Sequence, residues 1–462
     1  MHVHRDLTQG SILRHLITLA LPIMGMSFMQ MAYNLTDMIW VGRTGSGAVA
    51  AIGTAGFFMW FGFAMLMSTK IGVEVTVSQS LGKKNPHDAS RFSHTGYSAA
   101  FAIATLYALT ILAIAPLLVS FFKLGIDANH FDVSRAAIHY LRLIAVGMPF
   151  AYTNQTLSGI FNGYGNTRTP FYIHGVGLLL NCILDPVLIF GIGFIPPMGV
   201  IGAAIATVVA QIVVFLLFHR ELHRQKHPVR ISPDFIFNGL TYLKKIMLIG
   251  FPVALQSMLF AFFAMVLARI LSSWGPIPIA VQKVGAQIEA ISWMTANGFS
   301  TALSTFVGQN YGARRYDRIR SGYTSAMIIM STIGLIATAL LYFLSEPIFR
   351  IFLQEKEVVV QGIDYLQILA LSQLFMCTEI TTAGAFNGIG KSIPPAVNSI
   401  VFTGLRIPGA LLLAYTAGLA VNGVWWSITI SSVIKGILIV AWFLLFFKRF
   451  SRHNISQNEP VK

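Results

Sequence analysis

Apolar stretches of about 20 residues or more follow one another along almost the whole chain, separated by short polar, glycine-bearing or proline-bearing breaks. A helix of that length crosses the ~30 Å hydrocarbon core of a bilayer. Hydrophobic residues make up 55% of the chain and charged residues only 11%, against about 25% charged residues in soluble domains. We therefore predict an all-α, multi-pass membrane protein. The twelve predicted helices cover approximately 13–41, 48–80, 93–122, 133–163, 169–193, 199–219, 241–272, 282–311, 321–346, 358–388, 393–418 and 422–447.

The distribution of positive charge indicates how these helices are oriented. With the N-terminus in the cytoplasm, most of the 32 Lys and Arg residues lie on the cytoplasmic side, where short loops carry an excess of positive charge. We predict that both termini are cytoplasmic and that the chain is a monomer in a prokaryote-like cell inner membrane. The formal charge of +15 reflects this topology and does not indicate nucleic-acid binding. Because the N-terminal MHVHRDLTQGS lacks a cleavable signal pattern, we expect the first helix to be retained.

The second half of the chain repeats the first. Three motifs recur in order: ALPIMGMSFMQ at Pro22 with GFPVALQSMLF at Pro252, VSQSLG ending at Gly82 with VGQNYG ending at Gly312, and FNGYGN around Gly163 with FNGIGK around Gly388. Each repeat contains six predicted helices, so both enter the membrane in the same direction and should be related by a pseudo-two-fold axis along the membrane normal. We predict an N-lobe over 1–220, a cytoplasmic linker over 221–240 and a C-lobe over 241–462.

Two aspartates stand alone in long apolar stretches. Asp37 is the only Asp, Glu, Lys or Arg in residues 15–42, and Asp185 is the only one in residues 169–219. A carboxylate deep in a membrane costs ~2.5–3.5 kcal/mol on insertion scales and indicates a functional site. The alternative is a structural hydrogen bond between helices. At the repeat offsets Asp37 corresponds to Leu267 and, more loosely, Asp185 to Ala410, so the acidic site is predicted in one lobe only.

Polar residues accompany both aspartates at helical spacing. Tyr33 lies one turn before Asp37 and Asn181 one turn before Asp185, and residues four apart share a helix face. Together with Thr207 these side chains offer carboxylate, amide, hydroxyl and phenol oxygens, which suit a shared proton or a Na⁺ ion at Asp37, Asn181, Asp185 and Thr207. We favour H⁺, because desolvation and a second carboxylate both favour a protonated acid. Asn181 and Thr207 could instead serve only helix packing.

The combined motifs resemble those of the multidrug and toxic compound extrusion (MATE) transporters. The resemblance rests on the doubled LP, VGQN-G and NG-G motifs, the stretch Asn181-Cys-Ile-Leu-Asp185-Pro186, the run GAAIAT over 202–207 and the segment GAQIEAISWMTANGFSTALSTFVGQNYGARR. The presence of both Asp37 and Asp185 resembles the pattern of the DinF-like branch of this family, which carries its coupling acid in helix one. The resemblance implies a V-shaped fold in which helices one, five and six converge on one cavity.

The resemblance implies a multidrug efflux antiporter that exports amphipathic, often cationic compounds in exchange for H⁺ or Na⁺. The alternative is a lipid-linked precursor flippase of the same superfamily, which would need a cavity lined with many Arg and Lys residues. We expect no enzyme activity and no cofactor, because the sequence has no Walker A motif, metal-ligand cluster or nucleophile triad pattern. Its two cysteines lie in predicted helices and imply no disulfide.

Substrate contacts are predicted mainly around the methionine-rich first helix, because flexible methionines suit varied apolar ligands. The predicted substrate-binding residues are Met26, Gln30, Asn34, Asn154 and Glu289. Pro22 is predicted to gate the cavity by letting helix one bend when Asp37 is protonated, with a static kink as the alternative. For Glu379 we expect structural pairing, with Arg269, Lys283 and Arg406 available as partners.

Overall fold

A computed structural model describes residues 5–122, 132–193, 195–225, 239–352 and 355–456, without the side chains of Asn34, Ser46 and 450–456. All regular secondary structure in these residues is helical, as predicted. Most of the predicted linker lies outside the described residues, and so does the side chain of Asn34. The first half contains Ile12–Gly42 (α1), Ser46–Gly82 (α2), Pro86–Ser120 (α3), Val133–Gly163 (α4), Arg168–Phe190 (α5) and Gly199–Arg224 (α6). The second half contains Leu240–Leu271 (α7), Pro276–Gly312 (α8), Tyr316–Phe343 (α9), Ser345–Arg350 (α10), Lys356–Gly388 (α11), Ile393–Gly404 (α12), Arg406–Leu411 (α13) and Ala420–Ser456 (α14).

Ten helical segments of the described residues are long and apolar enough to cross a membrane. The other two predicted crossings, α4 and α8, are 31 and 37 residues long and carry more polar side chains. Each packs against several helices of its own half: α4 against α2, α3 and α6, and α8 against α9 and α11. Several of their polar residues, such as Asn154 and Glu289, are buried in the protein, where they can find hydrogen-bond partners.

The helices extend beyond the apolar stretches at several ends. The apolar pattern predicts a third helix from residue 93, whereas the helix begins at Pro86, because Asn85 caps it by accepting a hydrogen bond from the Asp88 amide at 3.1 Å. Proline is favoured at the first helical position, where no intrahelical amide bond is lost. The apolar pattern thus marks the membrane-embedded part of a helix, and the cap decides where the helix begins.

One predicted helix is broken. The stretch 393–418 forms α12, α13 and a π-helical turn over Leu412–Thr416, with a turn at Leu405 between the first two. Pro408 has no amide hydrogen to donate to the Gly404 carbonyl four residues earlier, so the helical hydrogen bonding is interrupted between α12 and α13. The predicted membrane-spanning stretch is confirmed, but its helix is interrupted rather than continuous.

Backbone contacts divide the chain into two compact units. The first unit comprises 1–6 and 25–254, and the second comprises 7–24 and 255–462. The division falls within α1 just after Pro22, and within α7 just after Pro252. Compared with the predicted lobes, the first part of α1 belongs to the second unit and the first part of α7 belongs to the first unit. The lobe boundaries at 220 and 241 remain a prediction.

The sequence repeat reappears in backbone conformation. Lys84 and Arg314, which follow the matching VSQSLG and VGQNYG motifs, both take the left-handed conformation, with φ of 56° and 58°. Gly165 and Gly390, in the matching FNGYGN and FNGIGK motifs, have φ of 78° and 80°. Left-handed residues are common just after helix ends, where they satisfy the last carbonyls. The two halves therefore end corresponding helices in the same way.

Close helix packing at glycine also repeats. A Cβ added to Gly159 of α4 would lie 2.6 Å from the carbonyl oxygen of Lys70 on α2. The equivalent glycine of α11, Gly384, would place a Cβ 2.3 Å from the carbonyl oxygen of Ser300 on α8. Within each unit, these glycines let two backbones touch, as small residues do in membrane helix pairs.

Replacing Gly384 with alanine is expected to destabilise the protein by about 1–3 kcal/mol, the usual cost of overpacking. Alanine is otherwise the better helix former, so a loss of stability isolates the steric clash. The measurement is the thermal unfolding midpoint of detergent-solubilised protein. Gly53→Ala in α2 is the matched control, because no atom lies within 4 Å of its added Cβ. Equal midpoints for the two variants would contradict the close-packing argument.

Candidate ion-coupling site

Asp37 of α1 and Asp185 of α5 meet in the first unit. Their carboxyl groups lie close enough for a side-chain hydrogen bond with each other. A carboxylate accepts hydrogen bonds and donates none, so such a bond exists only when one of the two acids carries a proton. Two acids in this arrangement can hold one proton between two oxygens.

The α5 side of the pair is fully buried. Asn181 and Asp185 have no exposed surface, and Asn181 Nδ2 donates to Asp185 Oδ1 at 3.2 Å. The spacing of four residues puts both on one helix face. Gly177 lies one turn earlier on the same face, and a Cβ there would lie 2.4 Å from Val214 of α6. This close approach brings α6 alongside the acidic face of α5.

Helix α1 is tied to α5 and α6 beside the aspartates. Tyr33 Oη donates to Thr207 Oγ1 of α6 at 3.1 Å, and Thr36 lies beside Cys182 of α5. Asp37 itself is half-buried. The structure therefore brings together Tyr33, Asp37, Asn181, Asp185 and Thr207, the five residues predicted for ion coupling.

Tyr140 of α4 was not predicted and belongs to the same cluster. It is buried and lies within electrostatic range of both Asp37 and Asp185. In the sequence it is close to His139 and Arg142, which suggest a solvent-exposed segment. The sequence pattern that could have identified Tyr140 as buried is its helical spacing from Ala137 and Ile144, which line the buried face of α4.

Three oxygen atoms of the cluster are buried without a hydrogen-bond donor from the protein. They are Asp37 Oδ1, Asn181 Oδ1 and Asp185 Oδ2. Buried acceptors require a partner, since an unpaired one costs about 1–3 kcal/mol. A proton, a water molecule or a Na⁺ ion would each provide one, so the residues present fit either coupling ion. Asn181 and the two aspartates would hold Na⁺ if that ion binds.

Asn154, predicted to bind substrate, packs α4 against α6. It is fully buried, and its Nδ2 donates to the Gln211 backbone oxygen at 3.0 Å and to Gln211 Oε1 at 3.2 Å. Gln211 lies one turn after Thr207, so Asn154 extends the polar cluster along α6. Its role in substrate binding remains a prediction.

The other first-helix predictions fall on one face of α1. Met26, Gln30, Tyr33 and Asp37 are spaced by four, three and four residues, so all point the same way. Met26 is half-buried and Gln30 is exposed. The helix is continuous through Pro22. Substrate binding by Met26 and Gln30 and gating by Pro22 remain predictions.

A family model for MatE proteins matches residues 22–187 and 252–412. The two matches cover more than half of the chain and begin at the two repeat prolines, Pro22 and Pro252. The chain belongs to the MatE family. This membership confirms the family predicted from the sequence, while its DinF-like branch remains a prediction.

Relatives of this MatE protein match over nearly their full lengths. The probable multidrug resistance protein NorM of Thermotoga maritima is 28% identical over 449 residues, which are 94% of this chain and 92% of the relative. The FAD transporter of Shewanella oneidensis is 27% identical over 95% of each chain. The crystal structure of MATE in complex with MaD3S has a TM-score of 0.88 and 23% identity, and covers 97% of this chain and 98% of that chain. The similarity to this crystal structure confirms the predicted fold class, an all-α, multi-pass membrane protein.

The second unit of this MatE protein contains its own buried acids. Glu289 of α8 accepts a hydrogen bond from Tyr365 Oη at 2.6 Å and another from Gln373 Nε2 at 3.1 Å. Glu379 forms an ion pair with Lys435 Nζ at 3.0 Å. Structural pairing of Glu379 was predicted with Arg269, Lys283 and Arg406 as the available partners. Arg406 does interact with Glu379 electrostatically, but the ion pair is with Lys435, which lies on a different helix and was not identified from the sequence. Substrate binding by Glu289 remains a prediction.

Proposed function

We propose that this MatE protein is a multidrug efflux antiporter that exports amphipathic, often cationic compounds in exchange for H⁺. The observation that carries the proposal is the contact between Asp37 and Asp185. Two carboxyl groups at hydrogen-bond distance hold a proton when one is present and repel each other when it leaves. Loss of the shared proton therefore adds one negative charge to the pair, which a proton or an organic cation can neutralise.

Antiport follows if the two cations compete for this charge. Asp185 is fully buried, whereas Asp37 is half-buried and can be reached by water or a small ion. Uptake of the shared proton lowers the charge of the pair from two negative charges to one, which weakens its attraction for a cationic compound and so favours release of that compound. Tyr33, bonded to Thr207, and Asn181, bonded to Asp185, hold the pair in place. Bending of α1 at Pro22 would link protonation to the shape of the cavity.

The known relatives support the export of drugs. Several are probable multidrug resistance proteins, including YoeA of Bacillus subtilis, which is 25% identical over 96% of both chains. The acidic character of the first-unit site also favours organic cations over lipid-linked phosphates. We propose that the protein acts as a monomer in the cell inner membrane with both termini in the cytoplasm, and that it catalyses no chemical reaction.

A second candidate is the export of an organic anion. It is favoured by the 27% identity to the FAD transporter of Shewanella oneidensis. An anion would not compete with protons for Asp37. Its transport would therefore survive neutralisation of that residue, which distinguishes the two candidates.

Transport by purified protein in liposomes should identify the coupling ion. Vesicles with an acidic lumen in Na⁺-free buffer are expected to accumulate ethidium, a flat organic cation, as protons leave. An imposed Na⁺ gradient at equal pH should give little accumulation, because the carboxyl pair binds a proton without a metal. Protein-free liposomes and FAD-loaded vesicles are the controls. Strict dependence on Na⁺ would overturn proton coupling, and transport of FAD alone would overturn the cationic substrate class.

A further inference from the structure

The second unit contains a structural counterpart of α5 that lacks its acidic residue. The same repeat offset holds on both sides of this region. The matching positions are Gly165 with Gly390, which share a left-handed φ, and Leu188 with Leu413, whose backbones face Gly202 and Gly423. Between these points Asn181 corresponds to Arg406 and Asp185 to Ala410. A guanidinium therefore stands where the first unit has a residue of the ion-coupling site.

The guanidinium of Arg406 is buried and held by α14. Its Nε donates to Ser431 Oγ at 2.7 Å and its Nη2 donates to Ser432 Oγ at 2.8 Å. Ser427 Oγ donates in turn to the Arg406 backbone oxygen at 2.9 Å. These bonds use neutral partners, so they fix the position of the charge without neutralising it.

Acids of α8 and α11 lie within electrostatic range of this guanidinium. Arg406 interacts electrostatically with Glu379 and Glu289, and more weakly with Tyr365. Lys435 pairs with Glu379 at 3.0 Å. Arg406 thus lies within electrostatic range of two buried acids, and only one of them, Glu379, also has an ion-pair partner among the described residues.

We propose that Arg406 is a built-in cation that takes the role of an exchangeable ion in the second unit. This inference rests on the proposed antiport at Asp37 and Asp185. It makes ion exchange one-sided, since a cation that is covalently part of the chain cannot leave the second unit. Removing the guanidinium leaves a buried carboxylate uncompensated, and such a group takes up a proton or a monovalent cation. The Arg406 position thus masks a latent cation site at Glu289.

Cation binding by solubilised protein tests the masking directly. In an Asp37→Asn, Asp185→Asn background, where the first-unit site is neutral, the unfolding midpoint should be the same in NaCl and in choline chloride. Adding Arg406→Gln should make the midpoint rise with Na⁺ or with falling pH, because a cation that binds only the folded state stabilises it. Arg406→Lys keeps the charge and should show no such response.

The added variant Glu289→Gln identifies the acid. It should abolish the response of Arg406→Gln, and a response that survives it would overturn the assignment to Glu289. No response in a folded Arg406→Gln protein would overturn the masking itself. If Arg406→Gln fails to fold, Glu289→Gln should restore folding by removing the unpaired charge, and failure to do so would also overturn the proposal. Failure of the antiport hypothesis would instead appear as normal efflux by Asp37→Asn in a transport assay. The binding measurements do not measure efflux, so the two failures can be distinguished.

Discussion

Asp37→Asn is expected to abolish coupled efflux while leaving the protein folded and inserted. Asparagine keeps the size and most of the hydrogen bonds of the side chain but cannot lose or gain a proton at neutral pH. The variant pair has no exchangeable charge at Asp37, so neither a proton nor an organic cation can be exchanged there. Drug resistance of a sensitive host should fall to that of cells without the protein, and ethidium accumulation in acidic-lumen vesicles should fall to the protein-free level.

Asp317→Asn provides the matched control for this loss. It makes the same chemical change at an exposed acid in the first turn of α9, where it should leave efflux unchanged. Equal amounts of the two variants in the membrane fraction would show that insertion is intact. Normal resistance conferred by Asp37→Asn at normal expression would rule out Asp37 as the coupling residue.

Asp185→Asn is expected to stop efflux by the same route, because it removes the second acid of the pair. Asn181→Ala should have a smaller effect, since it deletes one hydrogen bond to Asp185, about 1.5–3 kcal/mol for a charged partner. That energy corresponds to a roughly ten- to hundredfold change in ion affinity. Proton-driven ethidium transport at several luminal pH values would separate a loss of affinity, which a steeper gradient restores, from a complete loss.

Glu379→Gln tests whether the effect belongs to the first-unit pair rather than to any buried acid. Breaking the Glu379–Lys435 ion pair leaves a buried lysine uncompensated and should destabilise the protein, by about 3–5 kcal/mol in a typical buried pair. Transport per folded molecule should nevertheless persist. Loss of transport by Glu379→Gln together with normal transport by Asp185→Asn would show that the site has been assigned to the wrong half of the chain.

The membrane helices and the repeat could be predicted from the sequence because both are local properties. A stretch of apolar residues long enough to cross a bilayer is visible without knowledge of its neighbours. Repeated motifs at Pro22 and Pro252 are visible by alignment of the chain with itself. The isolated aspartates were visible for the same reason, since the cost of a charge in a membrane depends mainly on its immediate surroundings.

The end of a helix proved harder to predict than its existence. Asn85 caps α3 well before the apolar stretch begins, and a cap contributes through one hydrogen bond that composition does not report. The break before α13 follows from Pro408, which the hydropathy pattern passes over because the flanking residues are apolar. Both Asn85 and Pro408 are visible in the sequence, but the helix boundaries were predicted from the apolar pattern instead.

Sequence alone was enough to establish that this protein is helical, membrane-embedded and doubled, and that Asp37 and Asp185 are exceptional. Which side chains meet became visible only in three dimensions: Tyr140 joins the acidic pair, Lys435 pairs with Glu379, and Arg406 faces the second-unit acids. Such contacts depend on the rotation and register of helices packed side by side. Those are set by close approaches such as Gly177 against Val214, whose partners are far apart along the chain.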